Sequence, residues 1–266
     1  MSWFQVVLLA LVQGVTEFLP ISSSGHLIIP AAVFGWEDQG LAFDVAVHAG
    51  SLGAVLLYFR SDLQALFRGW IGSLIGHASD EGRLAWAVVI ATIPAGLCGL
   101  LLDGWIETNL RSLAVIGCAS IGFGLLLAWS DRAPQSRSEL GALRWRDAIW
   151  VGCAQALALI PGTSRSGITM TAGRALGFDR ATAARFSFLL SIPLILAAGM
   201  LKGLDLWQSP QPGVWGQAVV GALVAGVSAY LCIHWFLRLV DRIGFMPFVL
   251  YRVVLGALLL GLAFGQ

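Results

Sequence analysis

Long runs of apolar residues, separated by short polar stretches, are the dominant pattern of this chain. A bilayer core of about 30 Å needs roughly 20 apolar residues in each helix that crosses it. We therefore predict an all-α integral membrane protein with six spanning segments, at Leu41–Phe59, Leu84–Leu102, Ser112–Trp129, Thr182–Leu201, Trp215–Leu237 and Met246–Phe264.

Two further pairs of apolar stretches are too short or too broken to span. The first pair surrounds a polar turn at residues 20–26 (the first turn), and the second pair surrounds a polar turn at residues 161–167 (the second turn). Irregular backbone at membrane depth is tolerated only where it is buried in protein or lines a wet cavity. We predict that each pair forms a re-entrant helical hairpin, and that the two turns face each other near the middle of the membrane.

The two turns resemble each other, and each follows an apolar helix that contains a glutamine, Gln13 or Gln155. Transporter folds commonly contain such internal repeats. The pattern predicts a single membrane domain over residues 1–266, with repeat one at about 1–133 and repeat two at about 145–266.

The distribution of arginines gives an orientation. Under the positive-inside rule the arginine-rich loops lie in the cytoplasm, and this applies to a loop containing Arg60, Arg68 and Arg83 and to the loops that follow it at 132–146 and 174–185. The six spans then alternate only if the first hairpin enters from outside and the second from inside. This is an inverted-topology repeat. We expect most of these arginines to be solvated loop residues.

Composition supports the membrane assignment and excludes other classes. Hydrophobic residues make up 58% of the chain and charged residues 12%, with a mean hydropathy of +0.81. Soluble domains carry about 25% charged residues. The net charge of +1 argues against a nucleic-acid partner.

One acidic residue lies in an apolar helix directly before the first turn. Gln13 and Glu17 are four residues apart and share one helix face. An ionisable group at the centre of a membrane helix costs at least about 2.5 kcal/mol and is a functional candidate by default. Glu17 could hold a divalent metal ion or act as a base, although an interfacial charge near a helix end is the simpler alternative.

The two turns together offer the groups that phosphoryl transfer requires, which are positive charge, positioning and a nucleophile. Arg165 could clamp phosphate oxygens, His26 could act as acid or base, and Ser23 could attack phosphorus or only bind the phosphate. Small residues around them would let backbone N–H groups converge on an anion; the candidate substrate-binding residues are Gln13, Ser22, Ser24, Gly25, Gly162, Thr163, Ser164, Ser166 and Gly167.

Three other polar residues are weaker candidates. Asp44 and His48 are four residues apart at the start of a span and could line the same cavity, but a helix-start acid is equally favoured by the helix dipole. Arg252 lies just inside the last span, where it could extend to the interface or pair with an acid.

These motifs resemble the signatures of the bacterial undecaprenyl-diphosphate phosphatases of the BacA/UppP type. Residues 13–26, with Gln13-x-x-x-Glu17 before the first turn, are similar to the first signature, and the second turn is similar to the second. The resemblance continues through Phe186-Ser187-Phe188 and Pro247-Phe248 to Tyr251-Arg252, so it covers nearly the whole chain.

The resemblance implies hydrolysis of undecaprenyl diphosphate to undecaprenyl phosphate and inorganic phosphate, which recycles the lipid carrier of peptidoglycan synthesis and links the family to bacitracin resistance. It implies a bacterial inner-membrane protein with a site open to the outer face, and a divalent cation, Mg²⁺ or Ca²⁺. The family's functional residues fall on Glu17, Ser23, His26, Ser164 and Arg165. Many members carry Glu where this chain has Gln13, so one carboxylate of the metal site is lost here.

Two alternatives compete with a phosphatase. A transporter or flippase of a polyprenyl phosphate would use the same inverted repeat and broken helices. A passive channel is poorly supported, because the sequence shows no ring of charge or repeated filter. Direct attack by Ser23 and attack by a water activated by Glu17 both fit the motifs. A membrane-lipid environment is implied, and a homodimer is left open.

Overall fold

The computed structural model describes residues 1–37, 39–208 and 215–265; Gln266, the end of the predicted second repeat, lies outside them. The described residues are helical and contain no β-strand beyond one isolated bridge between Arg137 and Phe178. The helices are α1 Trp3–Phe18, α2 Ser23–Phe34, α3 Leu41–Tyr58, α4 Arg60–Leu74, α5 Asp80–Asn109, α6 Leu113–Ser130, α7 Trp145–Ala156, α8 Arg165–Ala175, α9 Arg180–Gln208, α10 Trp215–Ile243 and α11 Met246–Phe264.

The six predicted spans are confirmed as helices that are long and apolar enough to cross a bilayer. They are α3, α5, α6, α9, α10 and α11. The start of α5 is displaced to Asp80 because Ser79 caps it, accepting a hydrogen bond from the Gly82 backbone N–H at 3.1 Å. Four of the remaining helices, α1, α2, α7 and α8, are the short helices on either side of the two turns.

The prediction that Arg60, Arg68 and Arg83 share one loop is wrong, because all three lie in helices, with Arg83 near the start of α5. Arg60 and Arg68 lie in α4, a helix in which Leu66 is the one buried residue. Its apolar positions recur at helical spacing, but they are too few and too mixed with polar residues to span. The segment therefore folds as an amphipathic helix between α3 and α5.

The two halves of the chain are interleaved, and this brings the turns together. Helix α1 packs against α10 from the second half, and α7 packs against α5 from the first. Both contacts depend on glycine. A Cβ on Gly14 would lie 2.4 Å from the Ala225 carbonyl oxygen, and one on Gly152 would lie 2.7 Å from that of Ala91. Helices α1 and α7 are thereby each held by a helix from the other half of the chain.

The expectation of solvated arginines is wrong for Arg174, which is 1% exposed at the end of α8. It donates to the Asp131 carboxylate at 3.3 Å and to the backbone carbonyls of Asp131 and Ala133. Arg180 binds the same carboxylate at 2.8 and 2.9 Å. Burial alone would raise the pKa of Asp131, but the hydrogen bonds and charge of Arg180 hold that pKa below its ordinary value.

Candidate active site

The two turns share one unusual backbone conformation. Ser22 and Ser164 are the non-glycine residues with positive φ in the described parts of the chain, at 72° and 68°. Each is the N-cap of the following helix, and its Oγ accepts from a glycine N–H, Gly25 at 3.4 Å and Gly167 at 3.1 Å. A non-glycine residue in such a conformation costs about 1–3 kcal/mol and is typical of functional sites.

Direct hydrogen bonds tie the second turn to the first. The Ser166 hydroxyl donates to the Leu19 carbonyl at 2.7 Å, and the Ser164 hydroxyl reaches the same oxygen at 3.5 Å. In each turn the capping serine also contacts the serine two residues further along the chain, Ser24 at 3.2 Å in the first and Ser166 at 3.1 Å in the second.

Arg252 clamps the backbones of both turns. It is fully buried, and its guanidinium donates to the carbonyls of Gly162 at 3.1 Å, Thr163 at 2.8 Å and Pro20 at 3.4 Å. A further bond reaches the Ser120 carbonyl at 3.1 Å. Both expectations for Arg252, extension to the interface and pairing with an acid, are therefore wrong. Its charge is instead solvated by backbone dipoles that the turns leave unpaired.

The second-turn glycines permit close packing. Gly162 has φ of 93°, and a Cβ there would lie 2.4 Å from the Ile116 carbonyl oxygen. A Cβ on Gly167 would lie 2.7 Å from Nη1 of Arg252. The buried Thr163 hydroxyl has no hydrogen-bond partner among the described residues. These contacts show how the second turn is held, and substrate binding by its glycines and hydroxyls stays a prediction.

An ion pair joins Glu17, in α1 just before the first turn, to Arg165 of the second turn. Arg165 Nη2 lies 3.2 Å from Glu17 Oε1, and the two side chains are 10% and 8% exposed. The other carboxylate oxygen accepts from the Ser23 hydroxyl at 2.8 Å and from Gln13 Nε2 at 3.0 Å. The structure thus brings together the candidate acid, hydroxyl and guanidinium, which lie 148 residues apart at the extremes.

Two adjoining cavities open from this cluster. The larger, about 460 Å³, has Glu17 and Arg165 in its wall, and the smaller, about 340 Å³, has Ser23 and Ser24. The two cavities share three lining residues, Asp44, His48 and Arg111. The prediction that Asp44 and His48 line one cavity is therefore confirmed. His48 Nε2 lies 3.9 Å from Glu17 Oε2, and its Nδ1 donates to the Asp44 carbonyl at 2.8 Å.

His26 does not join the cluster. Its Nδ1 donates to the Ser22 carbonyl at 2.6 Å, and its Nε2 lies 2.5 Å from the Tyr251 hydroxyl. The two rings are stacked with centroids 5.4 Å apart. His26 lines neither cavity, so in this arrangement the imidazole braces the first turn against α11. Acid–base work by His26 stays a prediction.

Several lining residues of the larger cavity were missed from the sequence. Arg111 follows α5, and Lys202 lies on α9 beside an apolar wall of Leu194, Ile195 and Ala198. Only the tertiary arrangement turns the end of α9 and the α5–α6 connection toward Glu17, so no local signal could have identified them.

The donors around Glu17 bear on whether a cation could bind. Among the described residues no cluster of three or more His, Cys, Asp or Glu side chains could hold a metal ion. However, the buried Gln13 Oε1 has no hydrogen-bond partner, and it lies on the side chain whose amide contacts Glu17. Glu17, Gln13 and the Ser23 hydroxyl form a set of hard oxygen donors that fits Mg²⁺ or Ca²⁺ if phosphate oxygens complete it.

Comparison with known proteins identifies the family of the chain. The family model described as bacitracin resistance protein BacA matches residues 6–258, which include both turns and Arg252. The chain belongs to the BacA family. The matched range contains every residue of the central cluster.

Curated relatives match this BacA-family chain over its full length. It is 59% identical over 261 residues to the undecaprenyl-diphosphatase of Hahella chejuensis, covering 98% of each chain. It is 55% identical over 270 residues to undecaprenyl-diphosphatase 2 of Stutzerimonas stutzeri, covering 100% of each. The undecaprenyl-diphosphatase of Saccharophagus degradans is 55% identical over 257 residues, with 97% of each chain covered.

Proposed function

We propose that this protein is a membrane phosphatase that hydrolyses undecaprenyl diphosphate to undecaprenyl phosphate and inorganic phosphate. The observation that carries the proposal is the joining of Glu17, Ser23 and Arg165 from both turns in one cluster beside a cavity of about 460 Å³. Full-length relatives named undecaprenyl-diphosphatase support the substrate. The activity would recycle the lipid carrier for cell-wall synthesis in the bacterial inner membrane.

In this proposal Arg165 holds the terminal phosphate, and Glu17 accepts a proton. Arg165 is fixed for this by a second hydrogen bond, from Nη1 to the Ser187 carbonyl at 3.1 Å. The nucleophile is either the Ser23 oxygen, whose proton already points at Glu17, or a water in the same position. Its oxygen bonds to the terminal phosphorus, its proton passes to Glu17, and the bond from that phosphorus to the bridging oxygen breaks. Undecaprenyl phosphate leaves with the electron pair.

If Ser23 is the nucleophile, a second turnover step follows. Glu17 first releases its proton to solvent. A water then attacks the phosphoserine, and Glu17 takes the proton of that water and passes it to the seryl oxygen as the bond from that oxygen to phosphorus breaks. Inorganic phosphate leaves at this point. Attack by water in the first step releases phosphate directly, so trapping a phosphate on Ser23 distinguishes the two routes.

We further propose that a divalent cation binds with the substrate. Glu17, Gln13 Oε1 and the Ser23 hydroxyl would hold it together with phosphate oxygens. When bound, the cation would neutralise charge that develops on the phosphates. Because Gln13 supplies an uncharged oxygen, affinity for the cation before substrate binds should be low.

The proposed placement in the membrane follows from the charge pattern. The helix pairs α1–α2 and α7–α8 would be re-entrant hairpins that enter from opposite sides, in an inverted repeat. The cluster of Asp131, Arg174 and Arg180 would lie at the cytoplasmic end. Lys202 lies near the other end of α9 from Arg180, so the larger cavity would open to the outer face.

The test is release of inorganic phosphate from a C55 or shorter isoprenyl diphosphate by the purified protein in detergent with Mg²⁺ or Ca²⁺. We expect turnover in the wild type, and its loss in Glu17→Ala and Arg165→Ala proteins that elute as the wild type does. Wild-type turnover in both variants would reject the site. Movement of labelled lipid phosphate across vesicles without phosphate release would favour a transporter instead.

A further inference from the structure

The charged residues of the larger cavity are arranged from a buried floor to an exposed mouth. Glu17 and Arg165 form the floor, at 8% and 10% exposure of their side chains. Arg111 is exposed in the connection after α5, and Lys202 is partly exposed on α9. Two basic residues thus stand at the mouth of a cavity whose floor is the proposed catalytic cluster.

The positive charge at the floor of the cavity is too small to neutralise a diphosphate. Glu17 lies 3.2 Å from Arg165 and offsets its positive charge, and Asp44 in the cavity wall adds a further negative charge. A lipid diphosphate carries roughly two to three negative charges near neutral pH, since the last ionisation of a phosphate has a pKa of about 6. Arg111 and Lys202 are the other formal cations among the lining residues.

The connectivity of the substrate assigns these cations to one of its two phosphates. The terminal phosphate must reach the floor, where Arg165 and Glu17 lie beside Ser23. The isoprenyl chain must leave toward the membrane through the mouth. The lipid-linked phosphate therefore lies between them. We propose that Arg111 and Lys202 form a second anion subsite, which binds the phosphate that remains on the lipid product.

This subsite also places the start of the lipid chain. Leu194, Ile195 and Ala198 line the same cavity beside Lys202. The first isoprene units would pack on this apolar wall of α9. Arg111 lines the smaller cavity as well, and its guanidinium can present several donors to one phosphate, which an ammonium group cannot do in a fixed plane.

The inference rests on the proposed phosphatase function and is tested by probes for each phosphate. Farnesyl diphosphate serves as substrate, farnesyl phosphate as a mimic of the lipid product, and inorganic phosphate as a mimic of the terminal group. In the double variant that combines Arg111→Gln with Lys202→Gln, we expect the KM for farnesyl diphosphate to rise about tenfold while kcat stays within about threefold. The loss of charge-assisted hydrogen bonds to the substrate predicts a change of this size. Inhibition by farnesyl phosphate should weaken by a similar factor.

Inhibition by inorganic phosphate should change less than twofold, because that anion binds at Arg165. Lysine at this position, in Arg111→Lys, should recover part of the affinity for farnesyl diphosphate that Arg111→Gln loses. The matched control is Arg68→Gln, an exposed arginine of α4 outside both cavities, which should behave as the wild type.

Two results would overturn the subsite, an unchanged KM in the double variant or an equal weakening of inhibition by both anions. If the wild type released no phosphate from farnesyl diphosphate, the proposed function would be rejected instead.

Discussion

The two turns have the same backbone but different chemistry. Both place a serine in a positive-φ conformation, Ser22 or Ser164, at the start of a helix. The next position is Ser23 in the first turn and Arg165 in the second. One backbone frame therefore occurs twice, and the residue that follows the strained serine gives each turn a different functional group, a hydroxyl in one and a guanidinium in the other.

The helices behind the turns differ in how firmly they are held. Helix α8 is almost wholly buried, and its last turn is fixed by Arg174. Helix α2 ends at Phe34, which is 67% exposed. The second turn is thus the better anchored half of the site. The first turn depends more on contacts from other elements, which are Arg252, the second-turn hydroxyls and the brace between His26 and Tyr251.

Removal of the shared clamp should have the largest effect on stability. Arg252→Met fills similar space but leaves buried carbonyls of both turns without a donor. Each orphaned group costs about 1–3 kcal/mol, so a loss of at least about 3 kcal/mol should lower the apparent Tm by roughly 6–12 °C. The measurement is thermal unfolding in detergent. Arg242→Met in the last turn of α10 is the control, and an equal shift in both variants would show that the clamp is unimportant.

The anchor of the second turn should respond to pH in a defined direction. The pKa of Asp131 is lowered in the folded protein, so its contribution to stability is present above the unfolded pKa and is lost as pH falls through the folded value. Asp131→Asn should lower the apparent Tm at pH 7. The shift should be smaller than for Arg252→Met, because Arg174 keeps backbone acceptors.

The difference in apparent Tm between the wild type and Asp131→Asn should persist at pH 5. It should become smaller only in more acidic solution, as the wild-type carboxylate takes up a proton. Unfolding curves at several pH values measure it. A gap that vanished between pH 7 and pH 5 would contradict a lowered pKa.

The spans could be predicted because apolar length decides them, and the turns because proline, glycine and serine interrupt apolar helices. Glu17 and Arg165 were identified because a charge inside an apolar segment is costly, and Ser23 because phosphoryl transfer can use a hydroxyl as its nucleophile. The role of Arg252 could not be predicted, since its partners are backbone carbonyls that carry no residue identity. His26 was assigned to the centre by its place in the motif, but the direction of its side chain depends on Tyr251, which lies 225 residues away.

Substitution of the two serines with positive φ should have a smaller effect on stability. Ser22→Ala removes the cap and keeps the unfavourable φ, which should cost about 1 kcal/mol, or about 2–4 °C in apparent Tm. Ser22→Gly also removes the cap but relieves the backbone, so it should be nearly neutral. At Ser164, the alanine variant should likewise have a lower apparent Tm than the glycine variant. If alanine were tolerated as well as glycine at both positions, the positive φ would not be a property of the folded chain.

The central claim is that residues from the two turns act as one site, and a double-mutant cycle in kcat/KM tests it most directly. The variants are Glu17→Gln, Arg165→Gln and the combination, assayed for phosphate release from farnesyl diphosphate. Groups that work as a unit are strongly non-additive, so the double variant should be about as impaired as the worse single variant. Losses that multiply across the two substitutions would mean that Glu17 and Arg165 act independently, and would contradict a shared site.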